Sequence, residues 1–368
     1  MSRRSLADRV LSRSFRDELE RIFNQHNRKV HSETNVISRD CSTKTRQERR
    51  NNLRRSFAEL HLLGFQLSNP TSLKQKHLHA LAEHWQQKGL APKTLHGLIS
   101  NFREFARWTG KRDLVQDISV YCGGREHLIR RTGATEDLSW EGRGVDVPAF
   151  LDKVKGIDKR LWLYLCFQRY FGLRTKESIE LRPWRATAQG DEHLYVTDGT
   201  KGGKHRMVPV RSDRQREIIA FARELVGQHL NAQLRWQGKT WRQAQAHFYY
   251  LMRRLGATHD LMGVSPHGLR HGFLQDEYEH YVGLPAPVKG GSALPENRFE
   301  YKRAMLALSL EAGHFREAVT GMYCGSLGHQ LRSQKTLSIP YAQKNHPDHN
   351  QETKNEEETE TINDKIIR

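Results

Sequence analysis

One short stretch can place two phosphate-gripping side chains on a single helical face. Residues Ser265 to Phe273 read S-P-H-G-L-R-H-G-F. A Ser at a helix start can cap free backbone N–H groups, and Pro is tolerated in the first turn. His267 and Arg270 are then three apart and share a face. A five-donor guanidinium beside an imidazole can grip one phosphate. Taken alone, the stretch reads equally as a capped surface helix in a basic protein. Other reactive residues stand far away in sequence. Arg174 follows a Gly at a helix junction, Lys201 lies in a Gly-rich turn, His314 follows Gly313, and Tyr323 comes nine residues after His314.

The elements that must position these residues are mostly helical. Apolar periodicity predicts helices near Leu53–Leu63, Leu73–Lys88 and Ala91–Gly110, the first two stopped by Gly64 and Gly89. In the third, Leu95, Leu98, Phe102, Phe105 and Ala106 form a stripe, with Lys93, Arg103 and Arg107 off it. Such a basic face suits phosphate-backbone binding, and also suits any solvated helix. Gly123-Gly124, Gly133 and Gly142 predict a linker over 116–145. A larger region follows, with a strongly apolar stretch over Leu151–Phe171. His193–Val196 and Arg206–Val210 alternate around G-T-K-G-G-K-H, which predicts a β-hairpin with Lys201 and Lys204 in its turn. Because a strand follows, that turn is not a phosphate-binding P-loop. Helices are expected over Arg214–Leu230, Thr240–Leu255 and Arg303–Leu310, with a Pro/Gly loop between Gln275 and Arg303. Residues 1–50 read as a basic arm carrying one amphipathic helix near Leu6–Phe23, and the acid-rich 344–368 as a disordered tail. The expected domains are therefore a small helical unit over 51–115 and a larger one over 146–343.

Composition narrows the partner. The 368 residues carry 60 Lys plus Arg against 42 Asp plus Glu, a formal charge of +18. That excess favours a polyanion, with nucleic acid the usual one and an anionic membrane surface the competitor. No apolar run approaches the roughly 18 residues of a spanning helix. The opening M-S-R-R-S-L-A-D-R-V lacks the apolar core of a secretion signal. Four scattered cysteines, Cys41, Cys122, Cys166 and Cys324, form no C-x-x-C pair. This fits reduced thiols and argues against a zinc ribbon or a disulfide scaffold.

The separated residues, taken together, resemble the tyrosine recombinases, or phage integrase family. That family's pattern is an Arg followed three residues on by an acid, a hairpin Lys, His-x-x-Arg, a Gly-His or Gly-Trp, and a Tyr nine residues later. The corresponding residues here are Arg174 with Glu177, Lys201, His267 with Arg270, His314 and Tyr323. The Ala91–Gly110 segment resembles the family's core-binding helix, which typically opens S-x-x-T, so Lys93, Thr94, Arg103 and Arg107 become candidate DNA contacts, with Lys204 on the hairpin. The resemblance covers about 50–330. It implies a mainly α fold with a small β-hairpin (α+β), a helical core-binding domain and a catalytic domain that clamp duplex DNA.

The implied reaction is site-specific DNA recombination through a 3′-phosphotyrosine. Tyr323 would be the nucleophile, and Arg174 and Arg270 would clamp the non-bridging oxygens. Lys201 would protonate the leaving 5′-oxygen, His267 would help deprotonate Tyr323, and His314 would hydrogen-bond the phosphate. Glu177 would orient His267 or the Arg pair. No metal or other cofactor is required, since arginines supply the charge. The implied partners are double-stranded DNA at specific attachment sites, a homo-tetramer on paired sites, and an accessory DNA-bending or directionality factor. The implied setting is cytoplasmic, on a bacterial mobile element.

Other readings exist for each part. Arg174 alone reads as a cation at a helix end. His267 and His271 are four apart, as in a zinc helix, but the Glu of H-E-x-x-H and a third ligand are missing. Ser326–His329 with Tyr341 imitates the Gly-His and Tyr elements, yet Tyr341 is twelve residues on. For the whole chain, the alternatives are a type IB-like topoisomerase, a catalytically silent DNA-binding regulator and a metal-dependent nuclease. The interval from Arg270 to His314 is longer than usual for the family, and Ala312 stands where Leu is usual. These departures resemble a divergent branch found in genomic islands.

Overall fold

The computed structural model describes residues 5–28, 40–122, 133–291, 298–314 and 317–325. The expected acidic tail, the Ser326–His329 and Tyr341 imitation and Gly123-Gly124 lie outside the described residues. The architecture is mainly α with one two-stranded antiparallel sheet. Among the described residues, no helix is long and apolar enough to cross a membrane.

The first core is built by α1 (Leu6–Val10), α2 (Arg13–His26), α3 (Thr43–Leu62), α4 (Gln75–Gln87) and α5 (Pro92–Trp108). Phe57 of α3 lies at its centre. Its ring meets Phe15, Phe102 and Phe105 edge-on at centroid distances of 5.3, 5.7 and 5.4 Å. Edge-to-face pairs of this kind contribute about 0.5–1.5 kcal/mol beyond burial. Glu59 is buried beside it and accepts bonds from Trp85 Nε1 at 2.9 Å and Lys88 Nζ at 3.0 Å.

Two boundaries differ from expectation. The basic arm expected over 1–50 is largely helical core where it is described: Ala7, Leu11, Phe15, Leu19, Ile22 and Phe23 are buried with α3 to α5. The single expected helix is two, because the Ser12 hydroxyl caps a new start by accepting from Phe15 N–H at 3.2 Å. The linker expected over 116–145 is also shorter. Ile118, Tyr121 and Cys122 belong to the first core and Trp140 to the second.

The second core surrounds α7 (Lys159–Phe171), which follows α6 (Val147–Ile157). Asp158 divides the long apolar stretch, its carboxylate capping α7 at Leu161 N–H, 2.8 Å. Leu161 to Gln168 are all buried, so α7 is enclosed on nearly every side. Next come α8 (Thr175–Glu180), α9 (Pro183–Ala186), β1 (His193–Val196) and β2 (Arg206–Pro209). Leu194 pairs with Val208 and Val196 with Arg206. After α10 (Asp213–Val226), α11 (Trp241–Arg254) and α12 (His259–Met262), α13 (Pro266–Val282) packs across α7. The loop expected from Gln275 starts later, since Gln275 and Tyr278 are buried in α13 and Gly283 ends it in the left-handed region at φ 73°. Finally α14 (Arg298–Glu311) and α15 (Glu317–Cys324) close over α13.

Candidate active site

Glu177 organises one side of the site. It is the third residue of α8, and its carboxylate accepts from the Arg174 backbone N–H and Nη1, both at 2.7 Å. Arg206, arriving from β2, donates Nη1 and Nη2 to the same carboxylate at 3.0 and 2.7 Å. Both partners are buried, at 1% and 0% side-chain exposure. Burial alone would raise the Glu177 carboxyl, but Arg206 and Arg174 outweigh it and hold it at about 2. Its partners are therefore Arg174 and Arg206. Arg206 escaped the sequence reading, and its signal is a charged residue at the inward position of β2. Gly313 leaves room for it: a Cβ there would sit 3.0 Å from Arg206 Cδ.

Arg270 comes from α13 and is fully buried. Its guanidinium donates to the carbonyls of Gly172 and Ala312, the latter at 2.5 Å. Burial brings it down to about 10, so it stays charged at neutral pH. Arg174 Nη2 donates to the same Ala312 carbonyl at 3.1 Å. Gly172 ends α7 with φ 60°, and a Cβ there would collide with the Phe273 ring. Only glycine lets the helix end turn its carbonyl toward Arg270 while packed on α13.

Tyr323 projects from α15 into this pair. Its hydroxyl is 3.1 Å from His267 Nε2 and 3.3 Å from His314 Nε2. The Arg270 guanidinium lies 5.7 Å from its ring centre, and the His314 ring stacks on it at 5.3 Å. Proton roles follow from the donors. Arg270 Nη2 is 3.3 Å from His314 Nε2 and has only N–H to offer, so that nitrogen accepts. The phenol then gives its single proton to His267 Nε2. Burial first, and the Arg270 charge second, push both His267 and His314 down to about 3, which keeps both imidazoles neutral at pH 7. A neutral His267 can accept the phenol's hydrogen bond, while burial and the Arg270 charge disfavour its protonated form.

Ser265 caps α13 with no side-chain hydrogen bond, and its carbonyl instead accepts from Trp140 Nε1 at 2.7 Å. Other expected residues stand apart from this cluster. Lys201 and Lys204 are exposed in the hairpin turn, where Gly202 and Gly203 adopt φ of 72° and 68°. On α5, Lys93 and Thr94 are exposed. Arg103 donates to the Gln116 carbonyl at 2.9 Å, and Arg107 pairs with Glu104 at 2.8 Å. The rings of His267 and His271 stand edge to face at 5.5 Å. Among the described residues, no group of three His, Cys, Asp or Glu is placed to hold a metal ion.

Comparison with known proteins bears on the chain's family and fold. The Integrase family matches residues 141–276, and the family described as "Phage integrase, N-terminal" matches 28–115. The chain is 30% identical over 195 residues to the tyrosine recombinase XerC of Xanthomonas campestris pv. campestris, strains B100 and 8004. That match takes in 52% of this chain and 57% of the relative, so the chain spans little more than half the length of the curated relatives it matches. Among solved structures, it superposes on the Tn1549 transposon integrase in complex with transposon right end DNA with TM-score 0.52. Identity there is 14%, over 87% of this chain and 99% of that one. It superposes on a lambda integrase tetramer bound to a Holliday junction with TM-score 0.50, at 14% identity over 86% of this chain and 82% of that one. At such identity these structures establish the fold, and the sequence matches assign its lineage: the chain belongs to the phage integrase family of tyrosine recombinases.

Proposed function

We propose that the protein is a site-specific DNA recombinase that cuts and rejoins duplex DNA through a 3′-phosphotyrosine. The observation that carries this is the Tyr323 hydroxyl, 3.1 Å from His267 Nε2, on a ring whose centre lies 5.7 Å from the buried Arg270 guanidinium. The phenolic oxygen attacks the scissile phosphorus while His267 takes its proton. The P–O5′ bond breaks, and the phosphodiester energy is kept in the Tyr–phosphate bond. Attack by a 5′-hydroxyl reverses these steps and reseals the strand. Arg174 and Arg270 neutralise the charge that develops on the non-bridging oxygens, and such preorganised donors are commonly worth about 10²–10³ in rate each. His314 donates to the phosphate only once a phosphoryl oxygen replaces it as the acceptor for Arg270 and its proton moves to Nε2, and Lys201 delivers the proton to the leaving oxygen from the hairpin turn. Because Tyr323 reaches His267 of its own chain, the geometry favours attack in cis.

The wider setting follows the family. Duplex DNA lies between the two helical units, with exposed Lys93, Thr94 and Lys204 as backbone contacts. Arg103 and Arg107 already bind within the fold and contribute less. Four protomers pair two attachment sites, an arrangement supported by the lambda integrase tetramer on a Holliday junction to which this fold is similar. Tyr323→Phe tests the reaction. The DNA site is selected from a randomised duplex library by binding to that variant, then nicked just 3′ of the cut so that the short fragment carrying the 5′-hydroxyl escapes and the adduct is trapped. The native protein should form a covalent, detergent-stable adduct and the variant none. An adduct with Tyr323→Phe would place the nucleophile elsewhere.

A further inference from the structure

The segment leading into the second core grips the nucleophile's helix at two points. Ala134 N–H donates to the Gly321 carbonyl at 2.9 Å. Three residues on, Asp137 Oδ1 accepts from Gln275 Nε2 at 2.8 Å, and the same Nε2 donates to the Tyr323 carbonyl at 3.2 Å. Gln275 is fully buried on α13, just over one turn beyond Arg270. Two oxygens facing one amide fix its orientation, since a flipped amide would set oxygen against oxygen. Its Oε1 has no partner among the described residues, which costs stability in a buried group. The Asp137 carboxylate is itself fixed. Burial would raise its pKa, but the Ser139 N–H, the Gln275 amide and the Lys289 charge hold it low. Immediately after Ser139 the same strap meets α13 again, where Trp140 Nε1 donates to the Ser265 carbonyl.

We propose that Asp137 and Gln275 are positioning residues that set the Tyr323 main chain against the His267–Arg270 helix. This rests on the proposed reaction. Without the bridge, α15 keeps its apolar contacts, the Ala134–Gly321 bond and the Cys324 Sγ contact with the Leu274 carbonyl, but loses the amide that ties the Tyr323 carbonyl to α13. The phenol then spends less time in line with phosphorus, and a misplacement of about 1 Å costs up to roughly 10² in rate.

The test compares Gln275→Met, Asp137→Ala and Asp137→Asn on the nicked duplex described above. Gln275→Met and Asp137→Ala should form adduct roughly 10- to 100-fold more slowly with unchanged DNA affinity. The double variant should be no slower than the slower single. Asp137→Asn keeps an oxygen for Gln275 and should recover most of the rate lost in Asp137→Ala. A second substrate replaces the leaving oxygen by sulfur, which departs without a proton. It should relieve Lys201→Ala but not Gln275→Met, because the bridge acts on attack and not on departure. Native-like rates in both single variants, relief by sulfur, or Asp137→Asn as slow as Asp137→Ala would each overturn the proposal. If Gln275→Met does not fold, the Asp137 pair decides alone. A native protein that forms no adduct, or a Tyr323→Phe that does, would instead sink the reaction itself.

Discussion

Arg174 and Arg270 donate to one and the same acceptor, the backbone carbonyl of Ala312, at 3.1 and 2.5 Å. Two like charges thus converge before any anion arrives, held together by a carbonyl dipole and by Glu177 behind Arg174. In the proposed reaction, a phosphoryl oxygen entering here would meet two guanidiniums already held in place, which would remove reorganisation from the reaction step. Lysine cannot reproduce the fork. Arg174→Lys should therefore slow adduct formation by about 10²–10³ while leaving DNA affinity within a few-fold. Single-turnover kinetics beside a binding titration will separate the two. Equal losses in both would mean that Arg174 serves binding and not chemistry.

Glu177 makes the site sensitive to acid. Its carboxyl is held at about 2 against an ordinary 4.5, chiefly by Arg206 and Arg174 overcoming burial. A depressed acid contributes stability that is complete above the unfolded value and is lost as pH falls toward the folded one. The loss should fall between pH 4.5 and about 2. Glu177→Gln should flatten that part of the stability curve, measured by urea unfolding at stepped pH. Glu177→Ala leaves Arg206 buried without its partner and should cost about 3–5 kcal/mol.

The histidines titrate with the same sign through a different cause. Burial and the neighbouring arginines push His267 and His314 to about 3, from 6.5. Above pH 6.5 both are neutral in either state and contribute nothing. Below it the unfolded chain takes up protons that the folded site refuses, so stability falls from pH 6.5 toward 3. The rate of adduct formation should show no inflection near pH 6.5. A clear loss of rate on crossing from pH 7.5 to 6 would mean that one imidazole gains a proton when DNA binds.

The separated residues were legible because each sits on a recognisable local device. His267 and Arg270 share a turn of helix, Lys201 lies between two alternating strands, and His314 follows a glycine that ends α14. What stayed hidden were acceptors and partners without a side-chain signature. No residue type announces that the Ala312 carbonyl serves two arginines, or that the Gly172 carbonyl is turned toward α13. Arg206 and Gln275 looked like ordinary polar residues until the fold buried them. Its position beside Arg174 predicts an orienting role for Glu177, but its contact with Arg206 depends on β2 folding back toward α8. The Pro/Gly loop is shorter than the sequence predicts, because the apolar face of α13 continues past Gln275 to Val282.

The N-terminal segment offers the sharpest contrast between composition and packing. Its charge predicts an arm, yet Phe15 is 3% exposed and meets Phe57 edge-on at 5.3 Å in the middle of the first core. A solvated arm tolerates alanine at little cost, whereas removing a buried Phe costs about 3–5 kcal/mol through lost transfer energy and the cavity left behind. Phe15→Ala should therefore lower the thermal midpoint markedly. Arg13→Ala, on the exposed side of the same helix, should leave it within about 0.5 kcal/mol of native. The two variants change the same element, so a difference between them reports burial and not helix propensity. If Phe15→Ala melts as the native protein does, α2 rests on the first core without being part of it, and the arm expected from composition is restored.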